Sequence, residues 1–179
     1  MSLSTLHIDK TWTLFLDRDG VLNKRIVDGY VKKWDEFEFL EGVLDALKIF
    51  NEKFGRIVVV TNQQGIGKGV MRIEDLELIH KNMVYEITYF KGRIDKVYFS
   101  PYLAAENHPT RKPQIGMALQ AQKDFPEIDF AKSLMIGDSK SDIEFGKNAG
   151  MKTVCIGKEN KGNADFLFET LIDCAKGLN

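Results

Sequence analysis

Residues 57–60 read Ile-Val-Val-Val, an unbroken row of β-branched residues. A half-exposed strand alternates apolar and polar side chains, whereas an unbroken apolar row suits a strand covered on both faces. Short apolar rows recur at 12–16, 94–99, 134–137 and 153–156. Between them run segments with helical spacing. One carries Val43, Leu44, Leu47, Phe50 and Phe54, and another carries Leu76, Ile79, Met83, Ile87 and Phe90. Further helices are expected over 115–125, between Pro113 and Pro126, over 139–149, closed by Gly150, and over 164–175. Strict strand–helix alternation predicts an α/β fold, with a parallel sheet of about five strands and helices on both faces. No internal repeat is visible. The 179 residues fit one domain spanning 1–179, with residues 1–10 expected as a disordered tail.

The formal net charge of −1 gives no electrostatic case for a nucleic acid or a membrane partner. No apolar run approaches the ~20 residues of a membrane span, and the N-terminus does not read as a leader. Cys155 and Cys174 are too few for a disulfide framework and read as reduced thiols. A cytoplasmic protein, monomeric and acting on a small molecule, is the expectation.

Parallel sheets of this kind bind ligands beyond the carboxyl ends of their strands, and the polar motifs cluster there. After the first strand comes Asp17-Arg18-Asp19-Gly20. Alternate residues of an extended chain point the same way, so both carboxylates can face one site. They repel unless a cation joins them or one keeps its proton. A solvated turn would use the same residues. After the second strand comes Thr61-Asn62-Gln63-Gln64-Gly65-Ile66-Gly67-Lys68-Gly69, offering a hydroxyl, amides and accessible backbone N–H groups. It is not a nucleotide P-loop, and it also reads as a flexible connector. Arg111-Lys112-Pro113 precedes the fourth helix, where a lysine and an arginine can neutralise anions or remain a solvated basic turn. After the fourth strand comes Gly137-Asp138-Ser139-Lys140-Ser141-Asp142. Asp138 and Asp142 can face one site, although Asp138 also suits a helix N-cap and Asp142 a first helical turn. Taken in order, the carboxylates suit a hard divalent ion. The hydroxyl, amides and lysine suit a phosphoryl group, and the set describes metal-assisted phosphoryl transfer.

The same ordered set resembles the haloacid dehalogenase (HAD) superfamily of phosphohydrolases. Asp17-Arg18-Asp19-Gly20-Val21-Leu22-Asn23 resembles its first motif, Thr61 its second, Lys112 its third and Gly137 to Asp142 its fourth. The resemblance runs from about residue 13 to about 157. It is strongest to the small capless branch that holds heptose-bisphosphate and histidinol-phosphate phosphatases. It implies a three-layer Rossmann-like fold with strand order 3-2-1-4-5 and no large cap domain. It implies that Asp17 is the nucleophile, Asp19 the general acid and base, and Asp17, Asp19, Asp138 and Asp142 the Mg²⁺ site. Thr61 and Lys112 would hold the phosphoryl oxygens. Residues 23–30 would form a flap, with Asn23, Asp28, Gly29 and Tyr30 facing the substrate beside Asn62, Gln63 and Arg111. A sugar bisphosphate, the heptose 1,7-bisphosphate cleaved at C7, is the expected substrate, with histidinol phosphate as the alternative. Branch members often carry a zinc loop of cysteines and a histidine. Residues 99–112 here hold His108 and no cysteine, so no zinc is expected and His108 reads as a plain loop residue. A phospho-receiver module shares this layout but places its aspartate on the third strand, whereas Asp95 precedes that strand.

Overall fold

The computed structural model describes residues 3–178. Six strands form one sheet: β1 (Thr13–Leu16), β2 (Arg56–Asn62), β3 (Lys96–Ser100), β4 (Ser133–Gly137), β5 (Lys152–Ile156) and β6 (Phe166–Phe168). Their order is β3-β2-β1-β4-β5-β6, and every pairing is parallel. The helices are α1 (Val43–Lys53), α2 (Gln64–Gly67), α3 (Ile73–Tyr89), α4 (Gly116–Asp124), α5 (Lys140–Asn148) and α6 (Leu171–Lys176). The expected order 3-2-1-4-5 therefore holds and is extended by one edge strand. That strand corrects the helix expected from residue 164. Phe166–Phe168 pairs with β5, and Thr170 caps the helix that follows by accepting from the Asp173 N–H. Two further expectations fail. Phe90 is 47% exposed and lies off the buried stripe of α3, because the helix ends at Tyr89. In the expected tail, Leu3–Leu6 forms a 3-10 turn and Leu3 joins the core; Met1 and Ser2 lie outside the described residues.

Period-two alternation sorts β1 between two cores. Leu14 and Leu16 pack with Leu47 and Phe50 of α1, Ile79 and Met83 of α3, and Cys174 of α6. Phe15 points the other way, to Met117 and Ala121 of α4 and Phe145 of α5. Strands covered on both faces need the unbroken apolar rows seen in the sequence. The central strand β1 is hydrogen-bonded to β2 and β4, in register at Leu16 with Val59 and Ile136. β4 runs one residue past the end of β1, to Gly137, and β2 three, to Asn62, so the polar residues at these strand ends meet beyond the tip of β1.

Helix α5 carries one of those successors and must lie close to the sheet. Gly146 permits this: a Cβ there would sit 2.7 Å from Thr153 Cγ2 and 2.8 Å from Met135 Cβ. Helix propensity alone favours alanine over glycine by ~1 kcal/mol. Packing opposes it, and overfilling a close-packed core costs about 1–3 kcal/mol. Gly146→Ala should therefore lower the chemical-denaturation midpoint, the reverse of the propensity order.

Candidate active site

Chain geometry at the end of β1 builds the first wall. The Asp17 N–H continues the ladder by donating to Ile136 O at 2.9 Å. The Arg18 carbonyl then accepts from the N–H groups of Val21, Leu22 and Asn23, which folds the chain into a tight turn. Gly20 sits in that turn at φ +94°, and a Cβ there would lie 2.3 Å from Asp138 Oδ2. Glycine is required both for the backbone conformation and for the approach of β1 to β4.

Asp17 is buried, and Lys112 Nζ donates to its Oδ1 at 2.7 Å. The same ammonium donates to Val60 O at 2.8 Å and pairs with Asp142 Oδ1 at 2.5 Å. Its three N–H donors are thus all committed. Asn62 fixes the lysine's backbone, accepting from Lys112 N at 3.0 Å and donating to Lys112 O at 3.2 Å. Asp142 serves two partners. Its Oδ2 accepts from Ser139 N and Ser139 Oγ at the start of α5, which leaves Oδ1 for Lys112. The helix cap is Ser139 and not Asp138, so the Asp138 carboxylate remains available at the tip of β4. Carboxylate oxygens of Asp17, Asp138 and Asp142 lie within 4.8 Å of one another. Such an oxygen set fits a hard divalent cation.

Asp19 lines the same pocket as Asp17, as the alternation requires. It is held from three sides. Arg18 Nη2 donates to both its oxygens at 2.9 and 3.0 Å, Asn23 Nδ2 to Oδ1 at 3.0 Å and Gln63 Nε2 to Oδ2 at 2.8 Å. Gln63 Nε2 also donates to Thr61 Oγ1 at 2.9 Å, leaving the threonine's own O–H to donate elsewhere. Gln63 and Asn23, both buried, thus brace Asp19; Gln63 also lines the pocket, as expected, whereas Asn23 is not among the residues that line it.

The electrostatics of the two aspartates diverge. Burial, then the neighbouring Asp142 charge, pushes Asp17 up to about 7 against the pull of Lys112. Burial also pushes Asp19 up, but the Arg18 charge and the Arg18, Asn23 and Gln63 hydrogen bonds outweigh it and hold Asp19 below its ordinary range. Asp138 is raised, chiefly by burial. Lys112, although buried, is held above its ordinary value by Asp142 and Asp17.

The pocket above these groups has a volume of about 700 Å³. Asp28, Gly29, Tyr30, Asn62 and Arg111 line it as expected. Lys68, whose ammonium lies 5.5 Å from the Tyr30 ring centre, and Arg25 were not anticipated. The left-handed turn of the flap falls on Asp28 (φ +54°), not on Gly29. Arg111 Nη1 donates to Tyr102 O at 3.1 Å. His108 corrects its reading as a plain loop residue. It stacks on Tyr102 with ring centres 3.4 Å apart, and its Nδ1 meets Thr110 Oγ1, which donates to Ser100 Oγ.

Arg18 was also missed, though its signal was present. If residues 17 and 19 face the pocket, residue 18 faces the interior, where an arginine needs a partner. Arg18 is fully buried and donates from Nη1 to His80 Nε2 at 3.1 Å. His80 sits beside Ile79 on the buried face of α3. Burial, then the Arg18 charge, lowers the imidazole to about 3 and keeps it neutral as an acceptor. Asp95 stands at the opposite end of the sheet, accepting from Ile57 N at 2.7 Å, which removes it from any phosphoryl site.

A family model described as HAD-hydrolase-like matches residues 109–170. The chain is 36% identical over 170 residues to the D-glycero-alpha-D-manno-heptose-1,7-bisphosphate 7-phosphatase of Mycobacterium bovis, covering 92% of this chain and 90% of the relative. The chain belongs to the HAD-like hydrolase family. A D-glycero-beta-D-manno-heptose-1,7-bisphosphate 7-phosphatase of Haemophilus influenzae is 35% identical over 178 residues, covering 92% of this chain and 95% of the relative. The crystal structure of a D,D-heptose 1,7-bisphosphate phosphatase from B. bronchiseptica, complexed with magnesium and phosphate, superposes with a TM-score of 0.84 at 26% identity. That match covers 93% of this chain and 97% of the other. Among the described residues, no helix is long and apolar enough to cross a membrane.

Opposite titration slopes follow from this geometry. An unfolded Asp17 ionises near 3.8, while the folded protein holds the proton to about 7. Between those values the folded state binds the extra proton, so stability falls as pH rises. His80 acts in the opposite sense: between about 3 and 6.5 the unfolded state binds the extra proton, and stability rises with pH. Asp17→Asn removes only the first effect. Its melting temperature relative to the unmutated, metal-free protein should climb from about pH 5 to about pH 7, by about 2–4 °C for each kcal/mol.

Proposed function

We propose that the protein is a Mg²⁺-dependent phosphatase that removes the C7 phosphate of D-glycero-D-manno-heptose 1,7-bisphosphate. One observation carries the reading: buried Asp17 and Asp142 line a pocket walled by Arg25, Lys68 and Arg111, and half-buried Asp138 brings a third carboxylate to within 4.8 Å of theirs. The carboxylates supply the chemistry of one phosphoryl group and the wall supplies cations for a second anion. The identity of 36% over nearly the whole chain with a heptose-bisphosphate phosphatase supports the same substrate. The relatives act on both anomers, so both belong in the assay. A magnesium ion would be held by Asp17, Asp138 and Asp142, with the Asp19 carbonyl beside them, and would neutralise charge on the transferring phosphoryl oxygens. We further propose a zinc-free monomer of one domain, acting in the cytoplasm.

The residues divide the reaction between them. Asp17 Oδ attacks phosphorus, and the ester oxygen leaves with the bonding pair, giving an aspartyl-phosphate. Lys112 fixes Asp17 against Asp142, and its charge acts on the phosphoryl group through space because its donors are committed. The Thr61 O–H donates to a phosphoryl oxygen. Asp19 gives a proton to the leaving alkoxide, then takes one from the water that hydrolyses the acyl phosphate. In the free protein Arg18 keeps Asp19 ionised. A phosphate dianion beside it adds a like charge and raises its pKa, so the acid is loaded when substrate is bound.

Phosphate release from the heptose bisphosphate and from histidinol phosphate, with Mg²⁺ and with excess EDTA, tests the reading. The bisphosphate should be preferred and EDTA should abolish turnover. A preference for histidinol phosphate, or full activity in EDTA, would overturn it. A charge-assisted hydrogen bond contributes about 1.5–3 kcal/mol. Arg111→Ala should therefore cost about 10–150-fold in kcat/KM on the bisphosphate and much less on a monophosphate.

Asp19→Asn distinguishes the acid from the nucleophile. It should depress hydrolysis of a sugar phosphate far more than that of p-nitrophenyl phosphate, whose leaving group needs little protonation. Equal losses on the two substrates would contradict the role given to Asp19.

A further inference from the structure

The flap is tied to the floor of the pocket through one side chain. Arg25 Nη2 donates to the Asp19 carbonyl and to Asp138 Oδ1, both at 2.8 Å, and so joins the tips of β1 and β4. Among the described residues, the backbone of 25–30 makes one hydrogen bond, Gly29 N–H to Ile26 O, which is internal to the flap. Arg25 is also the residue of 25–30 whose side chain hydrogen-bonds to the body of the fold. Its own side chain is 51% exposed, and Val27 beside it is 84% exposed. The hydrogen-bonded hold on the flap is therefore an ion pair, beside the half-buried Tyr30 ring that packs near Gly65 and Lys68 at its far end.

The oxygens that Arg25 holds have a second claim on them. Asp138 belongs to the carboxylate cluster with Asp17 and Asp142. Its Oδ2 edge is backed by Gly20, and Oδ1 is the oxygen given to the guanidinium. Arginine cannot lose its proton, so its charge cannot be switched off. It can leave only by moving. A divalent ion bound by the same carboxylates would stand against that fixed positive charge.

Resting on the Mg²⁺ reading above, we infer that Arg25 is an internal counter-ion for the carboxylate cluster, displaced from Asp138 when a divalent ion binds, so that metal entry unties the flap. The freed guanidinium then lies on the wall of the pocket through which a phosphorylated substrate enters. The linkage is reciprocal. An anion that engages Arg25 strengthens metal binding, and the metal strengthens binding of the anion.

The test uses no substrate and no activity readout. Mg²⁺ is titrated calorimetrically into the unmutated protein, Arg25→Gln and Lys161→Gln. Lys161 is the control because its Nζ donates to the Asp138 backbone carbonyl, at 3.0 Å, and not to the carboxylate. Arg25→Gln should bind Mg²⁺ about three- to tenfold more tightly, the range expected for loss of a half-exposed competing ion pair, and Lys161→Gln less than twofold more tightly. Amide exchange over 24–30 should quicken when Mg²⁺ is added to the unmutated protein, and should already be fast in Arg25→Gln. Unchanged or weaker Mg²⁺ binding by Arg25→Gln would overturn the inference and leave the metal reading intact. So would equal tightening in both variants, or a flap that slows with Mg²⁺. Absence of Mg²⁺ binding to the unmutated protein would overturn the metal reading itself, and this inference with it.

Discussion

Lys112 carries an ammonium into the floor of the pocket, 2.7 Å from Asp17 and 2.5 Å from Asp142, with all three groups almost wholly removed from solvent. Desolvating a charge costs several kcal/mol, and only close partners and complete hydrogen bonding offset it. Both conditions are met, since the third donor reaches Val60 O on β2. One cation therefore joins the end of β1, the end of β2 and the first turn of α5. The close approach of α5 to the sheet at Gly146 and the capping of α5 by Ser139 both serve to bring Asp142 to that point. The positions of these elements are interdependent through a single charge.

The two aspartates two residues apart show how environment separates identical side chains. Asp17 faces two carboxylates and one ammonium, and its proton is retained to about 7. Asp19 faces a guanidinium and two amides, and they hold its carboxyl below the ordinary range. A buried neutral histidine completes the difference by accepting from Arg18 and holding the guanidinium in place. Divergence of this kind between neighbouring titratable groups is the usual mark of divided labour in a site.

Much of this was legible in the sequence, for a physical reason. A sheet buried on both faces writes unbroken apolar rows, and polar residues that end those rows must converge where parallel strands finish together. Asp17, Asp19, Thr61 and Asp138 could be located that way. The edge strand Phe166–Phe168 could not, because three residues are too short to show a period and the pairing with β5 outweighs local preference. The bracing of Asp19 by Asn23 and Gln63 was not legible, because a polar residue beside a site can face the ligand, brace a neighbour or do both, and composition does not distinguish these. Arg25 left no trace at all. Its partners Asp19 and Asp138 are 6 and 113 residues away, and only the tertiary fold makes the second a neighbour.

The loop over 101–111 deserves comparison with what its sequence lacks. Its shape rests on the stack of Tyr102 with His108 and the chain from His108 through Thr110 to Ser100. These contacts contain no thiolate, and the cysteines of the chain, Cys155 and Cys174, are buried elsewhere. Oxidants therefore have no sulfur to attack at the pocket rim. The rim, and the position of Arg111 within it, rest on ring stacking and hydrogen bonds, Arg111 itself donating to Tyr102 O.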